Sequence, residues 1–240
     1  MQVGEWYEKY PNDDREIGFD EFFILPRSDI ANGNLNAMEI YTLGIICLFA
    51  KPKRDKSKTI QTSPLSKKTI YDMSNFKSKK WQKEIDESIY SLRDKKVIAS
   101  RRIDGDLFRY YVNISDGYIR INEDEYVKAI QYENSDIKKR NVVALYLALN
   151  GYMFKKPDTI ASFVTWVTNE TLAKLIGFEG NSTIKRTMVL LEDMKLIARF
   201  QVSRHNNAGT VRVLSCYSDR DLLTKFVKDR LGKDYLKVVE

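Results

Sequence analysis

Apolar and polar positions run through the same succession twice along this chain of 240 residues. The pattern predicts a short strand at residues 21–26 and another at 117–121, where Tyr118, Ile119 and Ile121 suit a half-buried strand. An apolar helix follows, over residues 37–50 and 142–154. Met38, Tyr41, Ile45 and Leu48 share one helical face, and Leu43 and Ile46 widen it, so this helix should be largely buried. A second, short helix comes next. Ser66 and Thr168 stand at matching positions as its N-caps, because each hydroxyl can accept a free backbone N–H. Asn75 and Gly177 stand near its end, where a left-handed residue is wanted. A third helix is predicted over residues 79–95 and 182–194. Trp81, Ile85, Ile89 and Leu92 line its face in the first copy, and Ile184, Met188 and Leu191 in the second. Each third helix leads into a hairpin. One is 97–102 with 107–112 around Asp104-Gly105, a tight-turn signal; the other is 196–202 with 210–214 around a longer polar tip.

The two successions also match residue by residue. Leu92-Arg93-Asp94-Lys95-Lys96-Val97-Ile98-Ala99 aligns with Leu191-Glu192-Asp193-Met194-Lys195-Leu196-Ile197-Ala198 at an offset of 99. Residues 65–76 align with 167–178 at an offset of 102. A period of this length is one small domain rather than a solenoid repeat. The chain therefore divides into an acidic arm at 1–20, a first domain at 21–116, a second at 117–217 and an amphipathic C-terminal helix at 218–240. Ser218-Asp219-Arg220-Asp221 reads as the capping box of that helix. Its apolar face, Leu222, Leu223, Phe226, Val227 and Leu231, either packs on the core or pairs with a second subunit in a homodimer. Residues 122–140 are charged and read as one helix plus a linker.

Charge changes this picture. The net charge is +7, but residues 1–50 carry −6 and residues 51–102 carry +10. A basic block in an otherwise near-neutral chain is the electrostatic footprint expected of a nucleic-acid partner; a Lys-rich solubilising surface is the plainer alternative. No apolar run is long enough to span a membrane, and residues 1–20 hold no signal-peptide core, so a cytoplasmic protein is expected.

Catalytic chemistry finds little to use. His205 is the single histidine, so no His pair can hold a metal, and Cys47 and Cys216 have no metal-binding spacing. No P-loop, G-x-S-x-G or H-E-x-x-H pattern occurs. The expectation is a protein without cofactor or metal that is not an enzyme.

Helix, short strand, helix, turn, helix, hairpin is the winged-helix order, with residues 59–64 and 160–166 as the short strand. The close of each third helix, Leu-x-Asp-x-Lys followed by Val-Ile-Ala or Leu-Ile-Ala, resembles that of many bacterial winged-helix domains. The tandem arrangement resembles plasmid and phage replication initiators, and more distantly the N-terminal domain of DnaD-type primosomal proteins. The resemblance implies an α+β, mainly helical fold of two tandem winged-helix domains, a helix-turn-helix variant. The basic loop at 51–58 has no counterpart in the second copy.

The resemblance also implies which residues face DNA. The third helix would enter a major groove with Lys77, Ser78, Lys79, Lys80, Gln82 and Lys83 in the first copy, and Asn181, Ser182, Thr183, Lys185 and Arg186 in the second. The wings would add Arg101, Arg102 and Arg109, then Arg204, His205, Asn206 and Arg212, although alternation turns some of these away from DNA. The first set suits phosphates and the second suits base edges. The expected function is sequence-specific binding of double-stranded DNA by a plasmid or phage replication initiator, with replication or transcription proteins as further partners. The alternatives are a transcriptional repressor of a mobile element and a winged-helix protein-interaction module.

Overall fold

The computed structural model describes residues 22–51, 58–76, 78–153, 164–165, 167–178, 180–204, 210–231 and 235–239. The fold is α+β, with helices dominating and the strands gathered into small antiparallel sheets. The first half runs β1 (Phe22–Pro26), α1 (Arg27–Ala31), α2 (Ala37–Leu48), β2 (Ala50–Lys51), β3 (Thr59–Thr62), β4 (Leu65–Ser66), α3 (Lys67–Ser74), α4 (Lys79–Asp94), β5 (Ile98–Asp104) and β6 (Leu107–Asn113). The second runs β7 (Tyr118–Asn122), α5 (Glu123–Ile130), α6 (Asp136–Tyr152), α7 (Asn169–Ile176), α8 (Asn181–Asp193), β8 (Ile197–Arg204) and β9 (Thr210–Cys216). A C-terminal α9 (Arg220–Phe226) continues as a π turn (Val227–Leu231) before β10 (Tyr235–Val239).

The two long apolar helices sit at the centre. Asn36 caps α2: its Oδ1 accepts the N–H groups of Met38 and Glu39 at 2.9 and 3.0 Å, and Glu39 Oε2 accepts the Asn36 N–H at 2.7 Å. Every residue of α2 is buried, as its widened apolar face predicts. It lies against α6, and one apolar cluster runs through both halves. Glu39 is buried too, and Lys95 Nζ reaches both of its carboxylate oxygens at 2.8 Å, which ties α2 to the end of α4.

β1 and β7 join the halves. They pair antiparallel, Phe22 with Asn122, Ile24 with Arg120 and Pro26 with Tyr118. Each strand opens its own half, and the middle residue of one pairs with the middle residue of the other. That is the register of an isologous twofold contact made inside one chain. Further in, Lys139 on α6 donates to the Asn75 carbonyl at the end of α3, and Gly177 at the end of α7 lies beside Asn36 at the start of α2. Each short helix therefore reaches the start of the long helix of the other half.

Several local expectations hold. Ser66 Oγ accepts the Thr69 N–H at 3.0 Å and Thr168 Oγ1 the Thr171 N–H at 3.1 Å. Asn75 and Gly177 are left-handed, at φ 52° and 66°. The shared Leu-x-Asp-x-Lys close proves to be a helix stop. Lys96 and Lys195 have φ 59° and 54°, and the next residue, Val97 or Leu196, bonds back to the carbonyl of Leu92 or Leu191. A lysine pays a left-handed penalty that glycine avoids. Lys96→Gly and Lys195→Gly should each stabilise the protein by about 1 kcal/mol; an unchanged or lower urea midpoint would contradict this cap geometry.

Four expectations need correction. Residues 122–140 hold α5 and the first turn of α6, not one helix and a linker. Asn122 caps α5 through Glu125 N, and Tyr126, Ala129 and Ile130 bury its inner face. α6 starts six residues before the expected Val142, and its charged opening is drawn inward at Lys139. The capping box at 218–221 is not formed: Ser218 lies inside a 3₁₀ turn, and α9 is entered from Asp219, which makes no side-chain cap. The C-terminal segment 218–240 is not one amphipathic helix: Tyr235–Val239 is a strand on β8. The helical part does pack inward, as Leu223, Phe226 and Val227 cluster with Val164 and Val213.

In the first half, β6 pairs along its length with β5 and near its two ends with β3 and β4. In the second, β9 pairs with β8, and Thr165 bridges to Leu214.

Candidate nucleic-acid interface

The third helix of each half turns one face to the core and the other to solvent. In α4, Ile85, Ser88, Ile89 and Leu92 are buried, and Ser78 caps the helix by accepting the Lys80 N–H at 3.2 Å. Ser78, Lys79, Lys80 and Lys83 are exposed, Gln82 is half-buried, and Lys77 lies outside the described residues. Trp81 packs on Phe76 at a ring separation of 5.2 Å, with Lys80 and Arg140 near its ring, so it closes the edge of the core.

The lysines of α4 do not stand alone. Lys80 is 3.9 Å from Glu84, Lys83 is 3.6 Å from Glu87, and Asp86 holds Lys67 of α3 at 2.9 Å. Such surface pairs are individually weak. Their consequence is electrostatic: over residues 79–89 three lysines face three carboxylates. Glu84 and Glu87 also line a cleft of about 400 Å³ with Asn36, Glu39, Arg140 and Gly177.

α8 differs. Ile184, Thr187, Met188 and Leu191 are buried, while Asn181, Ser182, Lys185 and Arg186 are exposed and Thr183 is half-buried. Among the described residues neither Lys185 nor Arg186 has an ion pair, and residues 181–191 contain no carboxylate. Gly180 precedes the helix at φ 142° and supplies no side-chain cap. One turn beyond Arg186, Val189 is 47% exposed, which the apolar pattern alone did not single out.

The hairpins sort their arginines by strand alternation. Arg101 and Arg109 are direct cross-strand partners on the outer face, beside the Ala99 and Tyr111 pair. Like charges placed opposite each other cost free energy. The Nε of Arg109 is buried without a hydrogen-bond partner. Arg102 falls on the opposite face, where its Nε donates to the Gly105 carbonyl at 2.6 Å. In the second half the corresponding outer face is apolar. Phe200 pairs with Val213, and Leu223, Phe226 and Val227 cover them. Arg212 turns inward and donates to Asn169 Oδ1 at 3.0 Å, and burial together with the nearby Arg199 lowers its pKa. Glu192 is paired with Arg199, but burial outweighs that pull and raises its carboxyl pKa above the usual range. Arg204 ends β8, and His205 and Asn206 lie outside the described residues.

Among the described residues no group of three or more His, Cys, Asp or Glu side chains is placed to hold a metal ion, and both cysteines are buried thiols. No described helix is long and apolar enough to cross a membrane. No protein-family model, curated protein or solved structure matches the chain.

Proposed function

We propose that this chain is a sequence-specific double-stranded DNA-binding protein built from two tandem winged-helix units. Its biological setting would be the start of replication of a plasmid or phage, in the cytoplasm. The observation that carries the reading is the exposed face of α8. Among the described residues Lys185 and Arg186 have no ion pair there, and they stand beside polar residues able to bond base edges, on a helix followed by a hairpin. Support comes also from the outer face of β5 and β6, where Arg101 and Arg109 are directly opposed, a like-charge pair that a phosphate would relieve.

The carboxylates on α4 favour a second reading for the first half alone. Glu84, Asp86 and Glu87 would meet DNA phosphates with repulsion, so this helix is better suited to a protein partner, such as another replication or transcription protein.

The first test is enrichment of genomic fragments by the purified protein at about 150 mM salt, where nonspecific binding is suppressed. One site recovered in repeated copies supports an initiator; a single palindrome over a promoter supports a repressor. Recovery of bulk DNA alone defeats sequence-specific binding. Within this reading, Arg101→Ala with Arg109→Ala should weaken binding to every sequence and flatten the log–log salt slope by about two. An unchanged slope would remove the first hairpin from the interface.

A further inference from the structure

We infer that base reading belongs to the second half alone, with Val189 contacting a thymine methyl group next to the base taken by Arg186. This rests on the DNA-binding reading and goes beyond it by assigning the specificity residues and the shape of the site.

The argument starts from the stripe that α8 presents to solvent. Ser182, Lys185, Arg186 and Val189 follow one another at intervals of three, one and three, which is one face of a helix. The opposite face is fixed in the core by Ile184, Met188 and Leu191, so the stripe cannot turn away. Its polar members suit phosphates and base edges. Val189 can make neither kind of contact. In a major groove the apolar group that bases present is the thymine C5-methyl, and a side chain one turn beyond a guanine-binding arginine is placed to meet it.

The helix of the first half supplies the contrast. Ninety-nine residues before Lys185, Arg186 and Val189 stand Asp86, Glu87 and Tyr90. Two cations are replaced by two carboxylates and the valine by a larger ring. Asp86 is held by Lys67, whose ammonium also sits 5.9 Å from the centre of the Tyr90 ring. The middle of α4 is thus tied to α3 and negatively charged, whereas the matching stretch of α8 is positive and has no ion pair among the described residues. A carboxylate in the groove can accept from the amino groups of cytosine N4 or adenine N6, but it is repelled by both phosphate strands. The halves share a twofold arrangement of backbone but not of groove-facing chemistry. The preferred site is then one asymmetric block, not two related half-sites.

The test is selection of bound duplexes from a random library with the full-length chain. A thymine-to-deoxyuridine scan of the selected site follows, since this change removes only the methyl group. One position should lose about five- to tenfold in affinity with the wild type and less than twofold with Val189→Ala. The asymmetric block should persist in Asp86→Ala with Glu87→Ala. Val189 is exposed and alanine favours helix, so a matching melting curve confirms the variant is folded. A flat uracil scan, or an equal loss with Val189→Ala, overturns the assignment of Val189. Two equally informative blocks, or a changed preference on altering Asp86 and Glu87, overturn the restriction to the second half. Failure to select any sequence overturns the DNA-binding reading, and this inference with it.

Discussion

Lys185→Ala combined with Arg186→Ala should lower affinity for the preferred duplex by about 100-fold and for scrambled DNA by far less. A good bidentate contact to a base contributes about 1–3 kcal/mol of discrimination, and about 1.4 kcal/mol corresponds to tenfold. In the proposed complex, removing Arg186 would take away such a contact, and removing Lys185 a neighbouring cation from the same face. Both side chains are exposed and neither has an ion pair among the described residues. The folded state should therefore keep its melting temperature, which separates this result from simple unfolding. Fluorescence anisotropy with the two duplexes measures the ratio. A ratio that stays at its wild-type value would place specificity elsewhere in the chain.

Gly44→Val should destabilise the fold by about 3 kcal/mol, at the upper end of overpacking costs. Gly44 lies in the middle of α2, at its contact with the second half. A Cβ added there would press into the Tyr126 hydroxyl and come within 2.9 Å of a Leu147 methyl. Both neighbours are fully buried and have no free volume to move into. Alanine at this site should also cost stability, although glycine to alanine in an open helix gains about 1 kcal/mol. Urea unfolding followed by far-UV circular dichroism is the measurement. If Gly44→Ala raised the midpoint, the close approach of α2 to α5 and α6 would be wrong.

Local rules made much of the fold legible. Ser66, Thr168, Asn75 and Gly177 each act through a few neighbouring backbone groups, so their roles can be read from nearby sequence alone. The inner faces of α4 and α8 follow from helical spacing. What could not be read depends on partners distant in sequence. The opening of α6, Asp136 to Asn141, looks solvated by composition, yet Lys139 is buried because the Asn75 carbonyl of the other half accepts from it. β10 becomes a strand because the edge of β8 is available, and nothing in Tyr235–Val239 announces that edge.

The candidate site was legible in part. The +10 block over residues 51–102 pointed to α4 as the cationic helix. A block sum hides position, and the carboxylates Glu84, Asp86 and Glu87 follow the lysines one turn further along the helix. Alternation did foretell that the hairpin arginines would divide between faces. Only the strand register says that Arg101 and Arg109 stand together while Arg102 turns to the Gly105 carbonyl.

The pairing of β1 with β7, centred on Ile24 and Arg120, has an effect on polarity. The two hairpin halves are related by half a turn in their core, whereas α9 and β10 belong to the second half only. In the proposed complex, the difference between α4 and α8 would give the bound chain a head and a tail. Copies on tandem sites would then all point one way along the helix axis, presenting α4 on the same side of each neighbour. Copies on inverted sites would bring like ends together. In the proposed complex, direction on DNA would thereby be set largely by the side chains of α4 and α8.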